Sequence, residues 1–195
     1  MNSCFRMLGL GAIVLSLTAA VASASLARDR ALSDPAPMAS PADRLGSMGN
    51  HDTLSSALDA TAVWRDLSVD RPLTLFAPTD QAFEVMPAER RDMLLLPENR
   101  ERLKTVLAYH LVPGRITAEE LEQAVRDGRG RATLRTISGA PLSVRIVGGT
   151  LEITDHEGGR ARIMKRDLAH SKGIIHAIDA VLIPRNIERG FTPYR

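Results

Sequence analysis

Residues 74–83 read TLFAPTDQAF, and the parsing of that stretch decides the fold. β-favouring residues run into Pro78, Thr79-Asp80 follow, and a helix-forming run starts at Gln81. Extended upstream to RPLTLFAP, it predicts a short strand. Leu73, Leu75 and Ala77 share one face of it, and Thr74 and Phe76 the other. Pro78 ends the strand because it has no N–H to give to a ladder. Asp80 is placed to cap the helix QAFEVM. The stretch lacks the glycines of a phosphate loop and the G-x-S-x-G of a hydrolase elbow. It reads as a strand-to-helix joint.

Helices flank this joint. DTLSSALDATAVW, from Asp52, has Leu54, Ala57, Leu58 and Thr61 at helical spacing, with Asp52 as its expected N-cap. PENRERLKTVLAYHLVPG, from Pro97, places Leu103, Val106, Leu107, His110 and Leu111 on one apolar face. His110 is therefore expected mid-face, buried, neutral and hydrogen-bonded, with Tyr109 on the flank about 100° away. Pro113-Gly114 stops the helix. Thr117 and Glu120 then form a capping box, with Ile116 and Leu121 spaced as its hydrophobic staple.

After about residue 130 the period changes to two. ATLRTI, LSVRIV and LEIT alternate and are separated by the turn sequences SGAP and GG. RARIMKRDL is less regular. GIIHAIDAVLIP, residues 173–184, is apolar on both parities, as in a strand covered on both faces, and is interrupted by His176 and Asp179. Asp179 is expected to accept hydrogen bonds from nearby backbone.

The chain has 195 residues, 44% hydrophobic, 25% charged and only 4% aromatic. A core built from aliphatic side chains follows. MNSCFR and the apolar run MLGLGAIVLSLTAAVA, closed by Ala-Ser-Ala at residue 24, read as a secretory signal peptide over residues 1–24. That run is shorter than the ~20 residues of a membrane span. Cys4, the only cysteine, precedes it, so no lipid anchor is expected. The mature chain then has no thiol for disulfides, thiol catalysis or zinc–thiolate sites. It carries 24 basic and 23 acidic side chains, a balance that points to neither nucleic acid nor anionic membrane as partner. Residues 25–50, rich in Ala, Ser, Pro and Asp, read as a flexible tether.

Three motifs in order, TLFAPTDQAF, YHLVPG and GIIHAIDAVLIP, resemble the fasciclin-like domain family over about residues 50–185. The resemblance implies an α+β fold, a wedge-shaped β-sandwich of about seven strands with a helical cluster in its N-terminal half. The domain is placed at residues 51–185, with a tail at 186–195 whose Ile187, Phe191 and Tyr194 could pack on the domain or a second copy. The residues matching the motifs are Thr74, Phe76, Pro78, Thr79, Asp80, Phe83, Tyr109, His110, Pro113, Gly114, Gly173, His176, Asp179 and Pro184. The family is one of extracellular adhesion and matrix modules with secreted or periplasmic bacterial members. It implies an exported adhesion or binding module with no catalytic residues, cofactor or metal. In animal members, an Asp followed by Ile or Leu just before the last motif has been linked to receptor contact. The matching segment here is Lys165, Arg166, Asp167 and Leu168.

The residues themselves offer little chemistry. His110 and Tyr109 point apart on a helix, and three-residue spacing puts His176 and Asp179 on opposite strand faces. Asp155, His156 and Glu157 lie in a turn, too few for a metal site, and His170 lies in a loop. No serine has a nucleophile context. The expected partner is an envelope or extracellular protein or polysaccharide. Alternatives are a carrier of a small apolar ligand, such as a pigment or lipid, which the low aromatic content disfavours, and a hydrolase.

Overall fold

Strand β1 (Leu73–Pro78) is buried along its whole length. It organises the computed structural model, which describes residues 41–63, 72–170 and 173–185. The expected signal peptide, the tail and part of the tether lie outside those residues. Leu73, Leu75 and Ala77 enter one core cluster, with Leu54, Leu58, Leu103 and Leu107 from the helices. Phe76, on the opposite face, enters a second cluster with Leu121, Leu142, Val144 and Ile153. One strand thus divides two hydrophobic cores, and each of its side-chain parities has a separate layer to fill.

The helices lie in the N-terminal part of the described residues, interleaved with β1 and the next strand. They are α1 (Pro41–Gly46), α2 (Asp52–Thr61), α3 (Asp80–Glu84), α4 (Ala88–Leu95), a 3₁₀ turn at Pro97–Asn99, α5 (Arg100–Tyr109) and α6 (Ala118–Asp127). The last part of the expected tether is instead the helix α1. Its Leu45 is fully buried in the first core cluster, and that burial holds the segment to the domain.

Helix α5 ends sooner than the apolar spacing indicates. His110 is its C-cap, and Leu111 already belongs to β2 (Leu111–Pro113). Leu111 pairs with Leu75 of β1, so a ladder partner overrides the helical phase. The remaining strands are β3 (Ala132–Arg135), β4 (Pro141–Val147), β5 (Thr150–Thr154), β6 (Arg160–His170) and β7 (Gly173–Ile178).

The seven strands form one sheet in the order β2-β1-β7-β6-β5-β4-β3. The expected α+β fold of about seven strands is thus present, its two halves joined in one curled sheet. Residues 160–162 of β6 pair with β5, and residues 163–170 pair with β7. The sheet curls until its ends approach, and Ile137, just beyond β3, donates its amide to Leu111 O at 2.8 Å.

At the centre, β1 and β7 run parallel, with Leu73 opposite Gly173 and Phe76 opposite His176. All six residues of β7 are buried. Gly173 is required there, since a Cβ would sit 1.8 Å from Leu73 O. The apolar run of residues 173–184 is not one strand. It leaves the sheet after Ile178, and Asp179 lies just beyond.

Candidate functional site

The three sequence motifs converge on β1, β7 and the segments they touch. Thr79 is the N-cap of α3, and its Oγ1 accepts from Ala82 N at 3.3 Å. Asp80 does not cap its own helix. It is the first residue of α3, and its carboxylate accepts Asp52 N at 3.1 Å and Thr53 N at 2.8 Å. Those are the orphan amides at the start of α2. Asp52, expected to cap α2, is its first helical residue instead, and His51 in the cap position gives no side-chain bond. Burial opposes ionisation of Asp80, but the amide bonds from Thr53 and Asp52 outweigh it and hold the carboxyl below the usual range.

Thr74 staples a loop to β1. Its hydroxyl donates to Gly114 O at 2.7 Å and accepts from Ile116 N at 2.9 Å. Gly114 has φ of +96°, a left-handed conformation open to glycine. It follows Pro113, which is exposed at the end of β2. Phe83 and Pro78 are buried, and Phe83 fills the first core cluster. Tyr109 is fully buried, with its hydroxyl donating to Pro141 O at 3.0 Å and accepting from His156 N at 3.2 Å. Burial pushes its phenol up to about 12.

The two motif histidines are wired in opposite tautomers. His110 is 1% exposed. Its Nδ1 lies 2.8 Å from Val106 O, and its Nε2 accepts Leu182 N at 3.1 Å. Nδ1 therefore carries the proton, and the ring is neutral. Complete burial lowers its pKa to about 4. His176 has Nε2 at 2.9 Å from Ile116 O and accepts Asp167 N on Nδ1 at 3.3 Å, so here Nε2 carries the proton. Burial also lowers its pKa, and its ring stacks on Phe76 with centroids 5.6 Å apart.

His176 faces an irregularity in β6. The ladder passes from Lys165 opposite Ala177 to Leu168 opposite Ile175, so Arg166 and Asp167 together face His176. This is a bulge, with Asp167 at φ +55°. The displaced Asp167 amide goes to the His176 ring. The Asp167 carboxylate accepts Ala118 N at 2.9 Å, at the start of α6, where the capping box of Thr117 and Glu120 is also complete. Arg166 pairs with Glu122 of α6 at 2.7 Å. Leu168 is half-buried against the first core cluster. Met164 is 63% exposed, and Lys165 is exposed beside it. The segment Lys165–Leu168 is thus a bulge pinned from beneath by His176 and α6, with Met164, Lys165 and Arg166 outward.

Two further carboxylates close backbone joints. Asp179 Oδ1 accepts Arg162 N at 2.6 Å, and Asp179 N returns a bond to Arg162 O. His176 and Asp179 therefore serve separate partners. Asp155 was visible in the sequence as a turn residue, but its reach was not. Its carboxylate accepts Glu157 N, Gly159 N and Ile183 N, the last across 28 residues, and thereby places buried Pro184. Among the described residues, no three His, Cys, Asp or Glu side chains are grouped to hold a metal ion.

The chain is similar to known proteins. The fasciclin domain model matches residues 49–184. The chain belongs to the fasciclin domain family. It is 34% identical over 132 residues to protein sll1483 of Synechocystis, covering 68% of this chain and 66% of that protein. It is 32% identical over 114 residues to mouse stabilin-2, covering 57% of this chain but 4% of that protein. A domain pair from the insect cell adhesion molecule Fasciclin I has the same fold, with a TM-score of 0.57 at 19% identity. That match covers 70% of this chain and 46% of the insect one. The fasciclin domain here thus spans about two thirds of the cyanobacterial relative and a small part of the animal one.

Proposed function

We propose that this fasciclin domain is an exported, non-catalytic adhesion module whose contact surface is the bulge of β6 around Met164–Leu168. The observation that carries this reading is where the motif side chains spend their polar atoms. Thr74, Asp80, Tyr109, His110, His176 and Asp179 are all engaged with backbone groups inside the fold. A general base or nucleophile must reach a substrate atom, and these groups point at amides and carbonyls instead. What remains for recognition is the outward surface. The bulge offers a mixed apolar and cationic edge, Met164 with Lys165 and Arg166, on a rigid support.

Membership of a family that includes a cell adhesion molecule supports the same reading. Among the described residues no helix is long and apolar enough to cross a membrane. The partner is an envelope or extracellular macromolecule. The test is attachment of cells of the source organism to surfaces coated with the purified domain. Lys165→Glu with Met164→Ser is expected to reduce attachment several-fold. Undiminished attachment by a folded variant would remove the bulge as the contact surface.

A further inference from the structure

A second surface lies on the outer face of β4, β5 and β6, away from both cores. Strand register assembles it. Ser143 pairs with Thr154 and Arg145 with Glu152 across β4 and β5, and Thr154 pairs with Arg160 across β5 and β6. Alternation puts Val144, Leu151, Ile153 and Ala161 into the core and these polar partners outward. Arg131, just before β3, joins them. The result is an open cleft of about 370 Å³ that includes Arg131, Ser143, Arg145, Glu152, Thr154 and Arg160 in its lining.

The charge in this cleft is not balanced. The lining holds three arginines against two carboxylates, and one of these, Asp155, is bonded to three backbone amides. Glu152 is 6% exposed and is opposed by Arg160 at 3.8 Å. That leaves Arg131 and Arg145, both exposed, without an ion-pair partner among the described residues. The Ser143 hydroxyl is buried without a hydrogen-bond partner among those residues. A guanidinium presents a planar fork of donors that matches an oxyanion in two bonds. The cleft falls within the ~300–1,000 Å³ range of small-ligand sites.

We infer that this cleft binds an oxyanion of the carboxylate or sulfate type. Arg131 and Arg145 grip the oxyanion, and Thr154 lines the cleft beside them. The lining contains no aromatic ring, so stacked nucleic-acid bases find no platform there. Buried Glu152 has a positioning role, holding Arg160 at the rim. The inference does not depend on the bulge of β6, which lies in the other half of that strand.

The experiment is isothermal titration of the full chain with tri-galacturonate, inorganic sulfate and single-stranded oligonucleotide. Charge reversal at Arg145 (Arg145→Glu) and neutralisation at Arg131 (Arg131→Gln) are each expected to weaken tri-galacturonate at least tenfold. Arg145→Lys is expected to lose less, since it keeps charge without the fork. Arg115→Glu, exposed and outside the cleft, is expected to change nothing. These exposed substitutions are checked by thermal midpoint, and Ser143→Ala provides a cleft variant without charge change. Tri-galacturonate binding more tightly than sulfate assigns the oxyanion to a saccharide. Equal affinities keep the oxyanion site and assign it to a free anion. No binding, binding indifferent to Arg131 and Arg145, or tighter binding of the oligonucleotide would overturn the inference.

Discussion

His110 and Leu182 are joined across 72 residues by a buried bond of 3.1 Å from the Leu182 amide to the imidazole Nε2. With Nδ1 on Val106 O, the ring ties the end of α5 to the segment following β7. His110→Ala removes a packed ring and leaves the Leu182 amide unpaired. We expect a loss of about 3–5 kcal/mol, combining the cavity and the orphaned donor. Urea unfolding followed by circular dichroism measures it, and a loss under about 1 kcal/mol would contradict the assigned role.

Acid should loosen the same joint. The folded pKa of His110 is depressed to about 4, against an ordinary value of about 6.5 in the unfolded chain. Above that value both states are neutral and its contribution is complete. Below it the unfolded chain takes up a proton that the folded one refuses, so stability falls as pH drops from about 6.5 to about 4. The scale for His110 is on the order of 3 kcal/mol. His51 and His176 are shifted in the same direction by burial and add to the slope. Asp80 and Glu120, both held low by amide bonds, lose their contribution only at lower pH still. Urea midpoints at a series of pH values should fall across the histidine window, and His110→Gln should flatten the profile.

Asp80 stabilises α2 from a distance. Asp80→Ala should cost about 1–3 kcal/mol, because two amides at the helix start lose their acceptor. Asp80→Asn should cost less, since one amide oxygen can still accept a bond. Hydrogen exchange localises the effect, and the first turn of α2 should lose protection ahead of α3.

Gly173→Ala tests the central parallel pair. The new methyl would meet Leu73 O at 1.8 Å, and backbone cannot move aside as a side-chain tip can. The expected loss is at the upper end of overpacking, about 3 kcal/mol or more. A thermal scan in which Gly173→Ala melts with the parent would contradict the observed β1–β7 register.

What was legible in the sequence was local. The capping box of Thr117 and Glu120 is complete within four residues, and the two-faced pattern of residues 73–77 matches the two cores. A helix-rich half before a strand-rich half also matches, and the seven strands match what the resemblance implied. The errors arose where a distant partner decides. Asp80 reads as the cap of the next helix, and only the tertiary fold brings Asp52 and Thr53 to it. Leu111 continues the helical phase but finds a ladder partner in Leu75. Leu45, one apolar side chain among polar ones, gives no periodic signal, yet it is buried. The bulge at Asp167 hides in an irregular run, and the arginine cleft exists only through the register of β4, β5 and β6.

The central claim is that the interior of the motifs holds the fold while the bulge makes contact. Side-by-side measurement of thermal midpoint and cell attachment for Lys165→Glu/Arg166→Glu tests it most directly. Arg166 loses one partly exposed ion pair with Glu122, a change of about 0–1 kcal/mol, so the midpoint should move little. The account predicts attachment reduced at least fivefold at an almost unchanged midpoint. Full attachment at that midpoint, or attachment lost only in proportion to unfolded protein, would contradict it.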